Sequence, residues 1–417
     1  MSEATDFDVL IIGAGPGGYA CAIRAAQLGL KTACADARDT LGGTCLNVGC
    51  IPSKTLLHAT ELLASAQGGH MAEFGIRLGD IAVDLPALMA KKEEIVQSLT
   101  KGIDFLFRKH GVARLTGRAN FQSGNSVEIA GKIVTAKAIV IATGSLPNAL
   151  NGVQINNAKG VIVDSTGVLS LSRVPDHLAV IGGGVIGIEY ATIFSALDVK
   201  VTVLEAADGL LKFVDRELID EFMHDLRDRG VTIRLNAVTT SVSRQGEDAC
   251  LVELEDGRQV WSEMVLYAAG RQGAVEGLNL EAAGLTSDKR GRLKVNEKIF
   301  QTDVPHIYAC GDIIGFPSLA STAMEQGRIA ARAAFNVQTE APPEYFPYGI
   351  YAVPEISTVG ETEEEVRARK EPYECGVARF RETARGHIMG VNSGFMKLIF
   401  SLKSRKLLGA HIVGEGA

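Results

Sequence analysis

The sequence predicts an α/β protein whose chain repeats one device: a buried strand, a glycine-rich turn, a helix and a second strand that ends in an acidic residue. The apolar run at residues 7–12 leads into the first glycine-rich turn, and the run at residues 178–181 leads into the second. Further along, Pro342, Pro343 and Pro347 interrupt the chain, and strand-like runs follow them. We therefore expect two doubly wound domains and a smaller α+β domain after them.

Length and composition place the chain among globular proteins. At about 150 residues per domain, 417 residues suggest two or three domains. Apolar residues make up 46%, which supports sizeable cores and argues against disorder. The net charge of −7 disfavours nucleic acid as a partner. The N-terminal region shows no secretory-signal pattern, and no run of about 18 apolar residues indicates a membrane span. We expect a soluble cytoplasmic protein.

The first of these strand–turn–helix repeats has the pattern of a dinucleotide-binding site. Gly13, Gly15 and Gly18 follow the first strand, a helical pattern comes next, and residues 31–35 form a strand that ends at Asp36. Such glycines allow a tight turn and let backbone N–H groups approach a pyrophosphate at the helix N-terminus. Asp36 is placed to accept hydrogen bonds from a ribose. A plain strand–turn–helix connection is the alternative interpretation.

The second unit repeats this arrangement with the same spacing. Gly182, Gly184 and Gly187 follow a strand, and a later strand ends at Glu205. The acid lies 23 residues after the first glycine in both units, since 36 − 13 and 205 − 182 are equal. The repeat favours two bound dinucleotides. A carboxylate at Glu205 suits the ribose hydroxyls of NAD and repels the 2′-phosphate of NADP, and no arginine follows it directly.

Other segments fit between and after these units. Further strands are predicted at residues 138–144, 264–271, 396–400 and 407–413. Residues 85–110 have a helical pattern, and we interpret the charged run at residues 91–94 as a solvated face of that helix.

Two of the seven cysteines, Cys45 and Cys50, lie five positions apart in the stretch GGTCLNVGCIPSK. A metal site is disfavoured, because structural zinc needs four ligands and no second Cys or His pair is near. Two buried thiols and a redox disulfide remain open. In a straight helix these residues would be about 7.5 Å apart along the axis, and a disulfide needs Cα atoms within about 7 Å. The segment must then bend, for which Gly49 and Pro52 are suitable. The other cysteines, expected to be buried or inert, are Cys21, Cys34, Cys250, Cys310 and Cys375.

Taken together, these features resemble the FAD-dependent pyridine nucleotide–disulfide oxidoreductases. The resemblance rests on GGTCLNVGCIPSK, on TGSLP at residues 143–147, on YACGD at residues 308–312 and on the two nucleotide units. It implies a redox disulfide of Cys45 and Cys50, with Lys54 beside the flavin and paired with Glu189. The implied cofactor-binding residues are Gly13, Gly15, Gly18 and Asp36 for FAD, Asp312 for its ribityl or phosphate region, Gly182, Gly184, Gly187 and Glu205 for NAD, and Thr44, Thr143, Gly144, Gly270, Gly311 and Ala320 in addition.

The resemblance also implies the domain organisation. An FAD-binding domain is expected at residues 1–147 and 272–342, an NAD-binding domain at residues 148–271, and an interface domain that dimerises at residues 343–417. We expect this last domain to be truncated, because the family carries a His-Pro-Thr-x-x-Glu segment and this chain contains no His-Pro dipeptide. Neither His387 nor His411 is assignable to the acid/base role. We therefore expect weak dimerisation and impaired turnover of the lipoyl substrate. Reduction of the flavin by NADH does not depend on the absent segment and can persist.

Within the family, the two halves of the chain resemble different members. Residues 7–189 are similar to dihydrolipoamide dehydrogenases, and the chain from Tyr190 onward is more similar to soluble pyridine nucleotide transhydrogenases. The hypothesis is either a fused sequence or a lineage between the two.

Three functions follow from this resemblance. The first is dihydrolipoyl dehydrogenase, a homodimer whose partner is the lipoyl-bearing subunit of a 2-oxoacid dehydrogenase complex. The second is a transhydrogenase that moves hydride between NADH and NADP⁺ through FAD. The third is a non-catalytic FAD-binding fragment. Glutathione or mercuric reductase is disfavoured, because no arginine pair follows Glu205 and no C-terminal cysteine pair is present. We favour the first because both cysteines are in place.

Overall fold

A computed structural model describes residues 5–67, 70–149 and 153–417, without the side chains of residues 70 and 73. The chain divides into two compact units. Unit 1 comprises Met1–Pro52, Glu93–Asn148 and Arg271–Glu344, and unit 2 comprises Ser53–Lys92, Ala149–Gly270 and Tyr345–Ala417.

In chain order, the strands are β1 (Phe7–Ile12), β2 (Thr32–Asp36), β3 (Ala113–Thr116), β4 (Ala119–Phe121), β5 (Ser126–Ile129), β6 (Lys132–Ile141), β7 (Ser145–Pro147), β8 (Ile162–Val163), β9 (His177–Ile181), β10 (Lys200–Leu204), β11 (Thr232–Arg234), β12 (Thr239–Gln245), β13 (Ala249–Leu254), β14 (Gln259–Ser262), β15 (Met264–Tyr267), β16 (Arg271–Gly273), β17 (Ile307–Ala309), β18 (Tyr348–Ile350), β19 (Glu355–Gly360), β20 (Tyr373–Arg379), β21 (Phe395–Ser401) and β22 (Leu407–Gly414). The α-helices are α1 (Pro16–Gln27), α2 (Gly43–Val48), α3 (Cys50–Gln67), α4 (His70–Glu73), α5 (Leu85–His110), α6 (Val185–Ser195), α7 (Arg216–Asp228), α8 (Ala320–Ala333), α9 (Glu363–Ala368) and α10 (Ala384–Met389). Short 3₁₀ helices lie at Gly167–Ser170, Leu280–Ala283, Gly311–Ile314 and Phe380–Glu382.

Unit 1 contains a seven-stranded sheet with strand order β3-β2-β1-β6-β5-β4, in which β17 also pairs with β6, and a two-stranded antiparallel sheet of β7 and β16. Strand β1 is parallel to both of its neighbours, β2 and β6. Its alternate residues enter two different cores: Val9 and Ile11 pack on one face, and Leu10 and Ile12 pack on the other. A strand buried on both faces explains why the run at residues 7–12 is almost continuously apolar.

Helices α1 and α8 of unit 1 pack at glycines. A Cβ on Gly327 would lie 2.2 Å from the Gly17 carbonyl oxygen, and a Cβ on Gly17 would lie 3.1 Å from the Ala323 carbonyl oxygen. Only glycine permits backbones this close. The contact fixes α1, and with it the helix N-terminus that faces the first glycine-rich turn.

Unit 2 contains a parallel sheet, β11-β10-β9-β15-β8, and two antiparallel sheets, β12-β13-β14 and β18-β19-β22-β21-β20. Strand β9 lies between β10 and β15, so the second glycine-rich turn leaves the middle of the parallel sheet. The predicted α/β class, with two doubly wound domains and an α+β domain after them, is confirmed, and the sheet of that last domain is antiparallel. The domain boundaries predicted from the sequence stay a prediction, and residues 150–152 near one of them lie outside the described part of the chain.

Helix α5 confirms the helical pattern at residues 85–110, but the interpretation of its charged run is wrong for Lys92. That side chain is 3% exposed, and its Nζ donates to the Leu169 carbonyl oxygen. Successive helix positions rotate by about 100°, so four consecutive residues cannot all face solvent. None of the described helices is long and apolar enough to cross a membrane.

Candidate active site

The first glycine-rich turn is shaped by the backbone that surrounds it. Gly13 has a φ of +101°, and a Cβ on it would lie 2.3 Å from the Ala142 carbonyl oxygen. A Cβ on Gly18 would lie 1.8 Å from the Gly13 carbonyl oxygen, so glycine is needed for α1 to start this close to β1. Gly15 is the N-cap of α1. The N–H groups of this helix start therefore face the turn, where they favour a phosphate.

Asp36, the last residue of β2, bonds to this turn. Its Oδ2 accepts from the Ala14 N–H at 2.7 Å, and its Oδ1 accepts from the Arg38 N–H at 2.8 Å. A carboxylate oxygen can accept more than one hydrogen bond, so both atoms can still accept from ribose hydroxyls. The glycines and the acid that the spacing predicted come together in unit 1.

The second turn repeats this geometry within unit 2. Gly182 has a φ of +108°, and a Cβ on Gly187 would lie 2.0 Å from the Gly182 carbonyl oxygen. Glu205 accepts from the Gly183 N–H at 2.5 Å and from the Ala207 N–H at 2.8 Å. The carboxylate is thus held against the turn in the same register as Asp36.

A second glycine pair covers the first turn. Gly42 and Gly43 have φ values of +101° and +60°, and a Cβ on Gly43 would lie 2.5 Å from the Gly15 Cα. The Thr143 Oγ1 of the same unit is buried and, among the described residues, has no hydrogen-bond partner. A buried polar atom without a partner is costly unless a ligand satisfies it. These residues therefore fit a bound flavin dinucleotide.

Asp312 is held by two residues that sequence reasoning missed. The Ser145 hydroxyl donates to Asp312 Oδ2 at 2.7 Å, and the Arg271 Nε donates to that hydroxyl at 2.7 Å. Arg271 also donates to the Ser145 carbonyl oxygen at 2.6 Å. Next to Asp312, the Gly311 N–H donates to Gln326 Oε1 at 2.8 Å. The Arg271–Ser145 pair spans 126 residues, so no local pattern could have indicated it.

Cys45 and Cys50 lie on either side of a break between α2 and α3. Gly49 separates the helices with a φ of −144° and a ψ of −116°. A Cβ on Gly49 would lie 2.8 Å from the Thr44 carbonyl oxygen and 3.3 Å from the Cys45 Cα, so the chain folds back on the turn that carries Cys45. The predicted bend at Gly49 is confirmed, whereas Pro52 lies in the first turn of α3, where proline is tolerated. Both cysteines are half-buried.

Tyr19 of α1 lies near this cysteine pair, at a position that no sequence motif indicates. Burial, with a smaller contribution from Cys45 and Cys50, raises the pKa of Tyr19 to about 12. Its hydroxyl donates to the Met324 sulfur at 3.9 Å. The phenol is therefore a neutral donor at physiological pH.

Lys54 and Glu189, both in unit 2, form the ion pair that the resemblance implies. The Lys54 Nζ lies 2.6 Å from both carboxylate oxygens of Glu189, whose side chain is 6% exposed. Two contacts from Tyr351 support the pair. The Tyr351 N–H donates to Glu189 Oε1 at 3.3 Å, and the Lys54 ammonium lies 5.1 Å from the centre of the Tyr351 ring. An ammonium over an aromatic face is stabilised by the ring quadrupole.

The remaining predicted residues lie at turns and helix starts of their own units. They are Thr44 in α2, Gly144 with a φ of +74°, Gly184 as the N-cap of α6, Gly270 with a φ of +91°, Gly311 with a φ of +79° and Ala320 at the start of α8. Their contacts with cofactors stay predictions. Across the described parts of the chain, no group of three or more His, Cys, Asp or Glu residues is arranged to hold a metal ion.

His411 has a structural role in the C-terminal sheet. It is fully buried, its Nε2 lies 2.9 Å from the Glu361 carbonyl oxygen, and its Nδ1 lies 2.5 Å from the Thr358 hydroxyl. A carbonyl oxygen only accepts, so Nε2 donates to Glu361, and Nδ1 shares a hydrogen bond with the Thr358 hydroxyl. Both ring nitrogens of His411 are thus engaged by neighbouring groups of the same domain.

Comparison with known proteins identifies the family. Residues 7–327 match the family described as pyridine nucleotide-disulphide oxidoreductase, and residues 346–417 match its dimerisation domain. A soluble pyridine nucleotide transhydrogenase of Mycobacterium tuberculosis is 40% identical over 99% of this chain and 88% of its own. The dihydrolipoyl dehydrogenase 3 of Pseudomonas aeruginosa is 40% identical over 98% of this chain and 89% of its own.

Among solved structures, the HOCl-induced flavoprotein disulfide reductase RclA from Escherichia coli superimposes with a TM-score of 0.87 at 29% identity. The match covers 98% of this chain and 90% of that one. Relatives with both names extend over the whole chain, so the division into two differently related halves stays a hypothesis. The chain belongs to the pyridine nucleotide-disulphide oxidoreductase family, flavoprotein enzymes that bind FAD and carry a dimerisation domain.

Proposed function

We propose that the chain is a dihydrolipoyl dehydrogenase, which oxidises dihydrolipoamide through a redox disulfide of Cys45 and Cys50 and reduces NAD⁺ to NADH. The observation that carries this proposal is the fold-back at Gly49, which brings the start of α3 against the turn that holds Cys45. Neither cysteine is sealed in a core. Hydride transfer between two nicotinamides needs no cysteine pair, so the pair favours thiol–disulfide chemistry.

The proposed exchange begins with a thiolate of the dihydrolipoyl group, which attacks Cys45 Sγ. The Cys45–Cys50 bond breaks, and its electron pair goes to Cys50 Sγ. The second substrate thiol loses its proton and attacks the first substrate sulfur, which closes the lipoyl disulfide and releases Cys45. One substrate proton stays on Cys45 and the other is released. Cys45 would be the exchange thiol, and Cys50 the thiolate that would interact with the flavin.

Bound FAD would supply the two-electron chemistry that links the reduced cysteine pair to NAD⁺. We propose that the first glycine-rich turn and Asp36 hold it, since the unpartnered Thr143 hydroxyl and the bare backbone at Gly43 suit a ligand there. Asp312, held by the Ser145 hydroxyl, would bind the ribityl or phosphate region of FAD.

NAD is the proposed coenzyme of the second turn. Two backbone N–H donors hold the Glu205 carboxylate against the turn, where it repels a 2′-phosphate. Lys54 is proposed to stabilise negative charge on the flavin, and Glu189 orients the Lys54 ammonium. Burial of the Glu189 carboxylate strengthens this pair.

A soluble transhydrogenase is the second candidate. The relative with that name is as similar to this chain as the dihydrolipoyl dehydrogenase is. Glu205 counts against NADP⁺ as a substrate.

Anaerobic reduction of the yellow protein by NADH tests the proposal. We expect a long-wavelength thiolate–flavin absorption band that is lost in Cys50→Ser and kept in Cys375→Ser, a half-buried cysteine of β20. Dihydrolipoamide-dependent NADH formation should be lost in Cys45→Ser as well. NADPH oxidation with an NAD analogue that is insensitive to both substitutions would support the transhydrogenase instead. NADH binding without flavin reduction would support the third candidate, a non-catalytic FAD-binding protein.

The matched dimerisation domain supports a homodimer. As partner we propose the lipoyl-bearing subunit of a 2-oxoacid dehydrogenase complex, since that subunit carries the dithiol. A cytoplasmic location stays a prediction.

A further inference from the structure

The loop at residues 206–215, between Glu205 and α7, packs directly on the second glycine-rich turn. The Leu211 N–H donates to the Gly183 carbonyl oxygen at 3.2 Å, and a Cβ on Gly183 would lie 2.4 Å from the end of the Leu210 side chain. Leu211 has a φ of +42°, which is rare for a bulky residue. A loop in such a conformation persists only where its surroundings hold it in place.

The far end of this loop is held by an ionic cluster around a buried lysine. Lys397 of β21 is 1% exposed, and its Nζ lies 3.0 Å from Asp215, 3.1 Å from Glu217 and 2.5 Å from Glu363. Asp215 is fully buried and is the N-cap of α7. Its second oxygen accepts from the Glu363 N–H at 3.0 Å. Removing one partner of such a cluster leaves buried charge without compensation.

Two more contacts join the same segment to the C-terminal antiparallel sheet. The rings of Phe213 in the loop and Tyr348 in β18 lie 4.9 Å apart. The Ser393 hydroxyl, just before β21, donates to Asp225 of α7 at 3.0 Å. The loop is therefore fixed at one end to the glycine-rich turn and at the other to the sheet that the dimerisation domain supplies.

We propose that Lys397 is a positioning residue for dinucleotide binding: by holding Asp215, it keeps the loop at residues 206–215 against Gly183 and so keeps the second turn competent to bind. The inference rests on the proposed assignment of that turn to a nicotinamide dinucleotide. It couples the nucleotide site to the C-terminal sheet through a loop with held and released states. Apparent affinity falls in proportion to the fraction of molecules in the held state.

Lys397→Met tests this inference in the full flavoprotein, with NADH as the probe. We expect the dissociation constant for NADH to rise about tenfold, as for a loop held in one molecule in ten. The rate of flavin reduction at saturating NADH should be unchanged. Hydrogen exchange of the Leu211 amide should become faster. Asp215→Asn, which keeps a side chain that can cap α7, should give the same changes to a smaller degree. This variant tests the inference if Lys397→Met does not fold.

Two control variants separate coupling from general destabilisation. Lys92→Met removes another buried lysine of unit 2, and Lys403→Met removes an exposed lysine just after β21. Both should keep wild-type NADH affinity, even though Lys92→Met lowers the melting temperature. Equal NADH affinity in wild type, Lys397→Met and Asp215→Asn would overturn the inference, as would an equal loss in Lys92→Met. Failure of the wild type to bind NADH would instead overturn the proposed function.

Discussion

The two glycine-rich turns share their backbone geometry but differ in what faces the middle glycine of each. In unit 1, Gly43 lies so close to Gly15 that a Cβ on it would be 2.5 Å from the Gly15 Cα. In unit 2, a Cβ on Gly184 would meet no atom of the described chain within 4 Å. At its middle glycine, the first turn is covered by a second stretch of backbone. The second turn is open at that position, and the loop at residues 206–215 packs on the neighbouring Gly183 instead.

This difference indicates how each site handles its ligand. A covered turn surrounds a dinucleotide with backbone donors and suits a cofactor that stays bound through many turnovers. An open turn suits a coenzyme that enters and leaves in each cycle, with affinity that depends on fewer contacts. The same local sequence pattern therefore supports a retained cofactor in one place and an exchanging one in the other.

The largest expected effect comes from filling the two turns with a methyl group. Gly43→Ala should give protein with at least about tenfold less flavin, because the methyl group meets backbone that cannot yield and the φ of +60° is strained for alanine. Gly184→Ala should keep its flavin, since its φ of −80° suits alanine, and should bind NADH about tenfold more weakly because the Cβ occupies ligand space. The ratio of flavin to protein absorbance and an NADH titration measure both.

Gly131→Ala is the matched control for backbone strain. Gly131 has a φ of +77° in the turn before β6, and no atom of the described chain lies within 4 Å of a Cβ there. This variant should lose some stability but no flavin. Full flavin content in Gly43→Ala, or flavin loss in Gly184→Ala, would show that the two turns do not differ as their geometry indicates.

Features that repeat locally could be predicted from the sequence, and features that depend on distant partners could not. Asp36 and Glu205 were found because equal spacing after a glycine-rich turn places an acid at the neighbouring strand end. Ser145 was missed because its partners lie 126 and 167 residues away. Lys397 offered one overlooked signal: it occupies the buried alternation of β21, between Phe395 and Ile399. A charged residue at a buried strand position predicts that it has buried ionic partners, but not which residues they are.

A smaller effect should separate the acids of the two turns. Glu205→Gln removes the charge that repels a 2′-phosphate, so the preference for NADH over NADPH should fall about tenfold. The affinity for NADH itself should fall severalfold. Asp36→Asn should lower flavin retention and leave the NADH/NADPH preference unchanged. Titration of both variants with both coenzymes measures this. An altered coenzyme preference in Asp36→Asn would contradict the separate roles of the two turns.

The smallest effect concerns the pH dependence of the ionic cluster that joins the loop at residues 206–215 to the C-terminal sheet. The hydrogen bond from Lys397, helped by those from Tyr373 and Arg367, outweighs burial and lowers the pKa of Glu363 from 4.5 to about 2. A lowered pKa of a carboxyl stabilises the fold above the unfolded value, and this stability is lost as pH falls from about 4.5 to 2. Glu363→Gln should therefore melt about 2 °C lower than wild type at pH 6, with the difference shrinking toward pH 2.5. Calorimetry across this range measures it, and Glu255→Gln, at an exposed site, should show no such trend. A difference that stays constant with pH would mean that Glu363 acts through shape rather than charge.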